Sequence, residues 1–264
     1  MDSTAISALI LTLNEAANIE RTLAPLARFR RVVVVDSGSS DGTLDLIARH
    51  PNAVVVQRRF DTHATQWNFG LGRPEVETEW VLALDADYLI EESLLDEIDR
   101  LNPSDDIGGY RARFRYCISG RPIRCGIYPP SVVLFRKAVA SYVQDGHTQR
   151  VVVVGRIVEL DGRIRHDDRK PLARWLESQH GYARLEAANL RTAERSSLGT
   201  ADRLRLTMCL APPCVFVYLF FARGGFLDGW RGLYYAMQRS FAEMLLALEL
   251  LDQRLRDGSG EGRR

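Results

Sequence analysis

The sequence predicts an α/β fold, a mostly parallel central sheet covered by helices on both faces, and three observations carry that prediction. Runs rich in valine, isoleucine and leucine recur through the first hundred residues, each followed by a segment of helical or turn character. The runs are continuously apolar, as strands buried on both faces are. Two of them end in aspartate, at the strand edge beyond which sheets of this kind bind ligands.

Taken in order, ISALILTL (6–13) reads as the first strand and NEAANIERTLAPLARF (14–29) as a helix through Ile19, Leu23 and Leu26. VVVVD (32–36) is a second strand, SGSSDGT a turn and LDLIARH a helix. AVVVQRR (53–59) is a third strand, THATQWNFGLGRP leads into a short helix, and WVLALDAD (80–87) precedes the helical SLLDEIDRL. From 108 to 165 the pattern turns to β: GGYRARFRYCI, SVVLFRKAVA and RVVVVGRIVEL read as a mixed extension with hairpins. A helix follows from Pro171 with Trp175, Gln179, Tyr182 and Glu186 near one face, and 191–203 reads as a linker. The pattern divides the chain into an α/β half at 1–105, a β-rich half at 106–190 and a linker with a C-terminal amphipathic helical segment at 191–264.

That last segment differs in kind. Leu206 to Ala222 carries no charge, but it is short for a bilayer span and holds Pro212-Pro213, a pair expected to break a helix. Beyond it, Trp230, Leu233, Tyr234, Met237, Phe241, Met244, Leu245 and Leu248 fall at amphipathic spacing, with Asp228 as a plausible N-cap. An in-plane membrane anchor and a helix pair that packs on the catalytic part or on a second subunit both fit this pattern.

Net charge is +1, so no global field argues for nucleic acid. The 33 arginines against Lys137 and Lys170 suit phosphate recognition, and a GC-rich genome gives the same bias. The four cysteines show no metal-binding spacing and read as ordinary buried thiols of a reduced, cytoplasmic setting, and no secretory signal is present.

Asp85 and Asp87 lie two apart at the end of a strand, a spacing that puts both on one face, and Asp36 ends its strand in the same way. Acidic groups gathered at a dry edge repel unless a cation sits among them. A divalent metal with a nucleotide diphosphate answers that need, and a turn or cap role is the plain alternative for each aspartate, Asp41 included. The dinucleotide fingerprint GxGxxG, the P-loop GxxxxGK[ST] and the hydrolase elbow GxSxG are all absent, and the first strand ends in TLNE rather than in a phosphatase nucleophile.

Four motifs in order, LTLNEAANIERTL, VVVVDSGSSDGT, QWNFGL and WVLALDAD, resemble glycosyltransferase family 2, whose members have the GT-A fold. GRPIRCGIYPPSVVLFRK, DGHTQRV, IRHDDRKPLARWLESQHGYA and GGFLDGWRGLYYA extend the resemblance to the small bacterial WaaE-like lipopolysaccharide core enzymes. The resemblance implies a nucleotide-sugar donor, Mg²⁺ or Mn²⁺, and inversion at the anomeric carbon. It assigns Thr12, Asn14 and Glu15 to the first donor loop, Asp36 to the base or ribose of UDP, and Asp85 to the ribose or metal. Asp87 binds the metal in this scheme and His166 completes the metal site. Gln66 and Asn68 stand where the family has Arg or Lys, then Asn, so the first position lacks its charge. The base is Asp145, with His147 as competitor. Asp167, Asp168, Arg169 and Lys170 either clamp a phosphorylated acceptor or cap the following helix.

The resulting expectation is an inverting, metal-dependent transferase that moves a sugar to a glycan or glycolipid of the cell envelope. It would act in the cytoplasm or on the inner-membrane face, as a monomer or homo-oligomer. A polyprenyl-phosphate glycosyltransferase and a non-catalytic membrane-associated scaffold are the rival readings.

Overall fold

The computed structural model describes residues 1–145, 148–194, 196 and 198–261. Two compact units emerge: Met1–Pro122 with Ile127–Lys170, and Pro171–Arg264 with the short stretch Ile123–Gly126.

The first unit is built on one sheet. Its strands are β1 (Ile6–Thr12), β2 (Arg31–Asp36), β3 (Ala53–Gln57), β4 (Trp80–Asp85), β5 (Tyr88–Ile90), β6 (Ile107–Ile118), β7 (Arg121–Pro122), β8 (Ser131–Arg136) and β11 (Arg156–His166). The order is β3-β2-β1-β4-β8-β6-β11-β5, with β7 on β6. β1, β2, β3 and β4 run parallel, β8 is antiparallel to both its neighbours, and β6 and β11 pair in parallel. β9 (Ala140–Asp145) and β10 (Thr148–Val153) form a separate two-stranded sheet.

Strand periodicity explains why the runs are apolar throughout. Alternate residues point to opposite faces, so Ile6, Ala8, Ile10, Val32, Val34 and Leu82 enter one core with α1 (Ile19–Leu23), α2 (Thr43–Ile47) and α4 (Glu92–Arg100). Leu9, Val33, Val35, Val81 and Ala83 enter the other with α3 (His63–Leu71) and Tyr142. The expected first helix stops at Leu23, and a 3₁₀ turn holding Pro25 continues it. The run RVVVVGRIVEL is two strands, because the chain turns at Gly155 and leaves the hairpin to rejoin the main sheet. SVVLFRKAVA is likewise divided between β8 and β9 by a 3₁₀ turn.

The second unit is helical: α5 (Leu172–Thr192), α6 (Thr200–Arg205), α7 (Ala211–Val217), a π-helical turn (Tyr218–Ala222) and α8 (Trp230–Glu261). Ala187, Leu190, Leu246 and Leu250 form its small core. Arg205 sits inside it on Glu243, whose side chain is only 8% exposed, with Glu186 and Asp202 also within ion-pair distance.

Three expectations change here. Pro212 and Pro213 start α7 instead of breaking it, since the first turn of a helix leaves those N–H groups unpaired in any case. Asp228 does not cap α8. Its carboxylate accepts the backbone N–H groups of Arg124 (2.7 Å) and Cys125 (3.3 Å). Cys117 and Cys125 are buried free thiols as expected, whereas Cys209 and Cys214 are exposed. Among the described residues no helix is long and apolar enough to cross a membrane.

Candidate active site

Sheet order brings distant residues together at one edge. Thr12 is in register with Asp36 on one side, and Leu11 with Asp85 on the other, so the ends of β1, β2 and β4 lie side by side. Far along the chain, β11 pairs antiparallel with β5 and sets His166 opposite Tyr88. His166 therefore arrives beside Asp87, Nε2 to Oδ2 at 3.0 Å. Asp87 itself is not on the strand. β4 ends at Asp85, and Asp87 sits in the turn before β5, so the two carboxylates approach through a turn and not through strand alternation.

The electrostatics follow from this crowding. Burial pushes the Asp85 carboxyl up to about 6, and the charge of Asp87 adds to the effect. Burial acts on Asp87 in the same sense, but the His166 imidazole outweighs it and holds Asp87 below the usual carboxylate range. His166 is pulled down by burial and raised more strongly by Asp87, so its net shift is upward. The ring is walled by Tyr88, Tyr116 and Tyr128 at 5.5, 4.8 and 4.8 Å between centroids, and the Tyr88 and Tyr128 hydroxyls hydrogen-bond each other.

Beside this group lies the first loop. Asn14 takes a left-handed conformation (φ 55°), which asparagine tolerates better than most residues. Its N–H donates to Ser39 Oγ and its side-chain oxygen accepts from the N–H of Ser40. Asp41 accepts from Ala16 and Thr43, the turn role open to it from sequence. Glu15 takes Asn18 Nδ2 at 2.8 Å and Lys170 Nζ at 2.6 Å. Burial raises the Glu15 carboxyl, and Lys170 offsets part of that rise. Burial would lower the Lys170 ammonium, but Glu15 and Asp168 more than compensate, so it stays charged.

Asp36 is fully buried, and its carboxylate accepts the N–H groups of Gly38 (2.9 Å) and Ser39 (3.0 Å) and the Ser39 hydroxyl. In this arrangement it holds the 37–40 loop in shape. Gln66 is also fully buried. Its amide donates to Arg58 O and Ser37 Oγ, and its oxygen accepts from the Arg58 guanidinium. Asn68 uses both ends of its amide on the Tyr142 backbone at 2.8 Å, clasping α3 to β9. Asp145 is the last residue of β9, in register with Thr148, and His147 lies outside the described residues.

Sequence reasoning missed two cations. Arg58, one position past β3, donates to Gln66 and ion-pairs Asp61 at 2.8 Å. Lys170 was considered only as an acceptor clamp or helix cap. It instead reaches back to Glu15, and its retention as lysine in an arginine-dominated chain was the available signal. Neither does Asp168 cap α5, which starts without a side-chain cap; it accepts Asn18 Nδ2 (2.9 Å). Asp167 meanwhile takes Arg21 Nη1 (2.7 Å), Arg169 Nε (2.8 Å) and the Gly120 N–H (2.9 Å).

The chemistry of the donor set suits a divalent ion. Two carboxylates repel at the mouth of β4, and a cation would relieve the burial and repulsion that lift Asp85. Thr12 Oγ1 and His166 Nδ1 are buried without a hydrogen-bond partner among the described residues. Among the described residues no group of three His, Cys, Asp and Glu side chains is placed to hold a metal ion. Mg²⁺ or Mn²⁺ takes one or two carboxylates and completes its shell with phosphate oxygens and water, and Asp85 and Asp87 offer that number.

The sheet is parallel through β3, β2, β1 and β4, its carboxyl edge gathers the aspartates, an antiparallel strand lies beside β4, and β11 returns a histidine to that edge. Residues 7–121 match the family model described as "Glycosyl transferase family 2". An uncharacterized glycosyltransferase of Rickettsia bellii is 31% identical over 167 residues, 60% of this chain, and the match spans 56% of that relative's length. The lipopolysaccharide core biosynthesis glycosyltransferase LpsC of Rhizobium meliloti is 26% identical over 254 residues, 88% of each chain. Among solved structures, the 1–349 fragment of S. aureus TarS covers 96% of this chain and 92% of its own, at 17% identity and a TM-score of 0.45.

Proposed function

We propose that this chain is an inverting, metal-dependent glycosyltransferase. It moves a sugar from a UDP-sugar to a glycan or glycolipid acceptor, in the synthesis of lipopolysaccharide or another envelope polysaccharide. It works from the cytoplasmic side, peripheral to the inner membrane. The observation that carries the reading is the cluster of Asp85, Asp87, His166, Glu15 and Lys170 at the sheet's carboxyl edge, a concentration of partly buried charge drawn from three distant parts of the chain. The lipopolysaccharide core role of the Rhizobium relative supports the envelope assignment.

Asp87 and His166, with Asp85, would hold the ion, which when bound offsets the charge growing on the departing nucleotide. Thr12 donates its unpartnered hydroxyl to the donor, and the loop held by Asn14 and Asp36 shapes the nucleoside site. Lys170, kept cationic by Glu15, adds fixed positive charge beside the diphosphate. Arg58 does the same from the end of β3. Asp145, or His147 in its place, takes the proton of the acceptor hydroxyl as the glycosidic bond forms, a contribution of about 10² to 10⁴ in rate.

Calorimetric titration of UDP with and without Mn²⁺, repeated on Asp87→Ala, tests the reading. Metal-dependent binding that disappears in the variant is the expected result. Failure of UDP to bind under every condition, with other nucleotides failing too, would favour the scaffold alternative.

A further inference from the structure

β6 and β11 run parallel in a register that sets Arg113 opposite Arg163 and Arg115 opposite Arg165. Residues paired across a sheet point to the same side, and residues two apart along a strand share it. The four arginines therefore stand on one face, in a rectangle of about 4.8 by 6.6 Å at the level of the backbone. The two cores show which face it is. Tyr110, Ala112, Phe114, Leu160 and Ile164 enter the core shared with α4, so the arginines emerge on the other side. On that side Arg111 is in register with Val132, and Val132 packs with Tyr142 of β9 and Val151 of β10. The arginines thus share a face with the hairpin that carries Asp145. They remain open to solvent there, with Arg113, Arg115 and Arg165 side chains 50, 44 and 39% exposed.

Little in the sheet unit neutralises them. Arg113 reaches only Asp161, a side chain fully in solvent, and Arg115 and Arg165 share Glu91; all three separations are 3.9 Å, beyond hydrogen-bonding distance. Arg163 makes no ion pair among the described residues. Arg111, by contrast, is spent on Glu159 at 3.1 Å. Like charges placed directly opposite on neighbouring strands destabilise a sheet, so the rectangle opposes folding. Arg169 and Lys170, which the sequence offered as a clamp for a phosphorylated acceptor, are engaged by Asp167 and Glu15.

The excess charge selects the ligand. Four arginines against Glu91 and Asp161 leave two positive charges uncompensated. A phosphate monoester carries about −1.5 to −2 at neutral pH and takes guanidinium groups in paired hydrogen bonds. A carboxylate would neutralise only one of the two charges. Position favours the acceptor over the donor. β11 ends at His166, one residue beyond Arg165, so the rectangle begins at the edge where Asp87 meets His166. Its side chains nevertheless leave on the face opposite to His166, towards the Asp145 hairpin.

We propose that Arg113, Arg115, Arg163 and Arg165 form an anion site that holds a phosphate monoester of the acceptor glycan. This names the acceptor class of the transferase proposed above, and for its role it rests on that reading.

The test is calorimetric titration of the full chain with glucose 6-phosphate, glucuronate and glucose, with UDP and Mn²⁺ titrated on the same samples. The expected result is binding of glucose 6-phosphate that weakens as salt rises, and none of glucose. Arg113→Gln with Arg163→Gln should lower that affinity about tenfold or more, from the loss of charge-assisted hydrogen bonds, and leave UDP binding unchanged. Arg113→Lys with Arg163→Lys keeps the charge without the planar fork and should fall between the two. The glutamine variant should melt at the native temperature or above it, because a like-charged pair has gone. A native chain that binds glucose 6-phosphate no better than glucose overturns the site, as does binding that the glutamine pair leaves unchanged. A glutamine variant that melts well below the native chain would make the arginines structural and overturn it too. Equal affinity for glucuronate overturns the phosphate commitment, and an equal loss of UDP binding in the variant overturns the acceptor assignment. Arginine-dependent binding of glucose 6-phosphate by a chain that fails to bind UDP would sink the donor reading and leave the anion site standing.

Discussion

The two units handle charge and apolar surface in opposite ways. The sheet unit buries its valines and leucines on both faces and also draws Glu15, Asp36 and Asp167 inside. The helical unit has a small core, one internal ion-pair cluster around Arg205, and leaves most of its large apolar side chains in contact with solvent. The comparison separates a unit whose inward-drawn charge gathers at the candidate site from one whose buried charge is a single internal cluster and whose apolar surface is left uncovered.

The largest effect expected from breaking this contrast is at the carboxylates. Asp87→Asn keeps the shape and removes the charge, and turnover should fall by at least about 10²-fold, as for the loss of a single electrostatic contact to the transition state. A steady-state assay with UDP-sugar donors, alongside an unchanged melting curve, checks this.

Core truncation distinguishes the units next. Leu82→Ala, at a fully buried position of β4, should cost about 2–5 kcal/mol by chemical denaturation. Leu248→Ala on the exposed stripe of α8 should stay within about 0.5 kcal/mol. Equal losses at the two sites would mean that the stripe is covered in solution.

Arg205→Met tests the ion-pair cluster inside the helical unit. It leaves Glu243 buried without its partner and should cost about 2–3 kcal/mol, less than the ~3–5 of a fully buried pair because Arg205 is 26% exposed. Restoring stability with Glu243→Leu in the same chain would identify the stranded charge as the cause.

The smallest effect belongs to an exposed pair. Asp106 is held down at about 2 by hydrogen bonds from Arg156 and Ser104. A carboxyl depressed in the folded state contributes stability that is complete above its unfolded value and lost as pH falls through its folded one. Denaturant midpoints of the native chain and Asp106→Asn should therefore differ above about pH 4, the unfolded carboxyl value. They should converge towards pH 2, with the difference shrinking in salt.

Much of the sheet unit was legible because its signals are local. Continuous valine runs predict strands buried on both faces, and Asp36 and Asp85 fall at strand ends, with Asp87 in the turn just past β4. The candidate site was less legible. Nothing between Asp87 and His166 in sequence says that they will lie 3.0 Å apart, since that depends on β11 pairing antiparallel to β5. Gln66 and Asn68 could be placed near the site by motif, but their amide groups are taken up by Arg58, Ser37 and Tyr142, contacts made only by the folded chain. In α8 the spacing was read correctly as amphipathic, yet spacing alone does not say which of two apolar faces the rest of the unit will cover.

By itself, then, the sequence determined the periodic elements, the parallel start of the sheet and the acidic edge, because these follow from side-chain alternation and from residues that neighbour one another in the chain. Only the tertiary structure decided which carboxylate meets His166, which lysine neutralises Glu15, and which face of the last helix stays outside. Those outcomes depend on strand order and on competition for burial among residues far apart in the chain, and no local pattern encodes either.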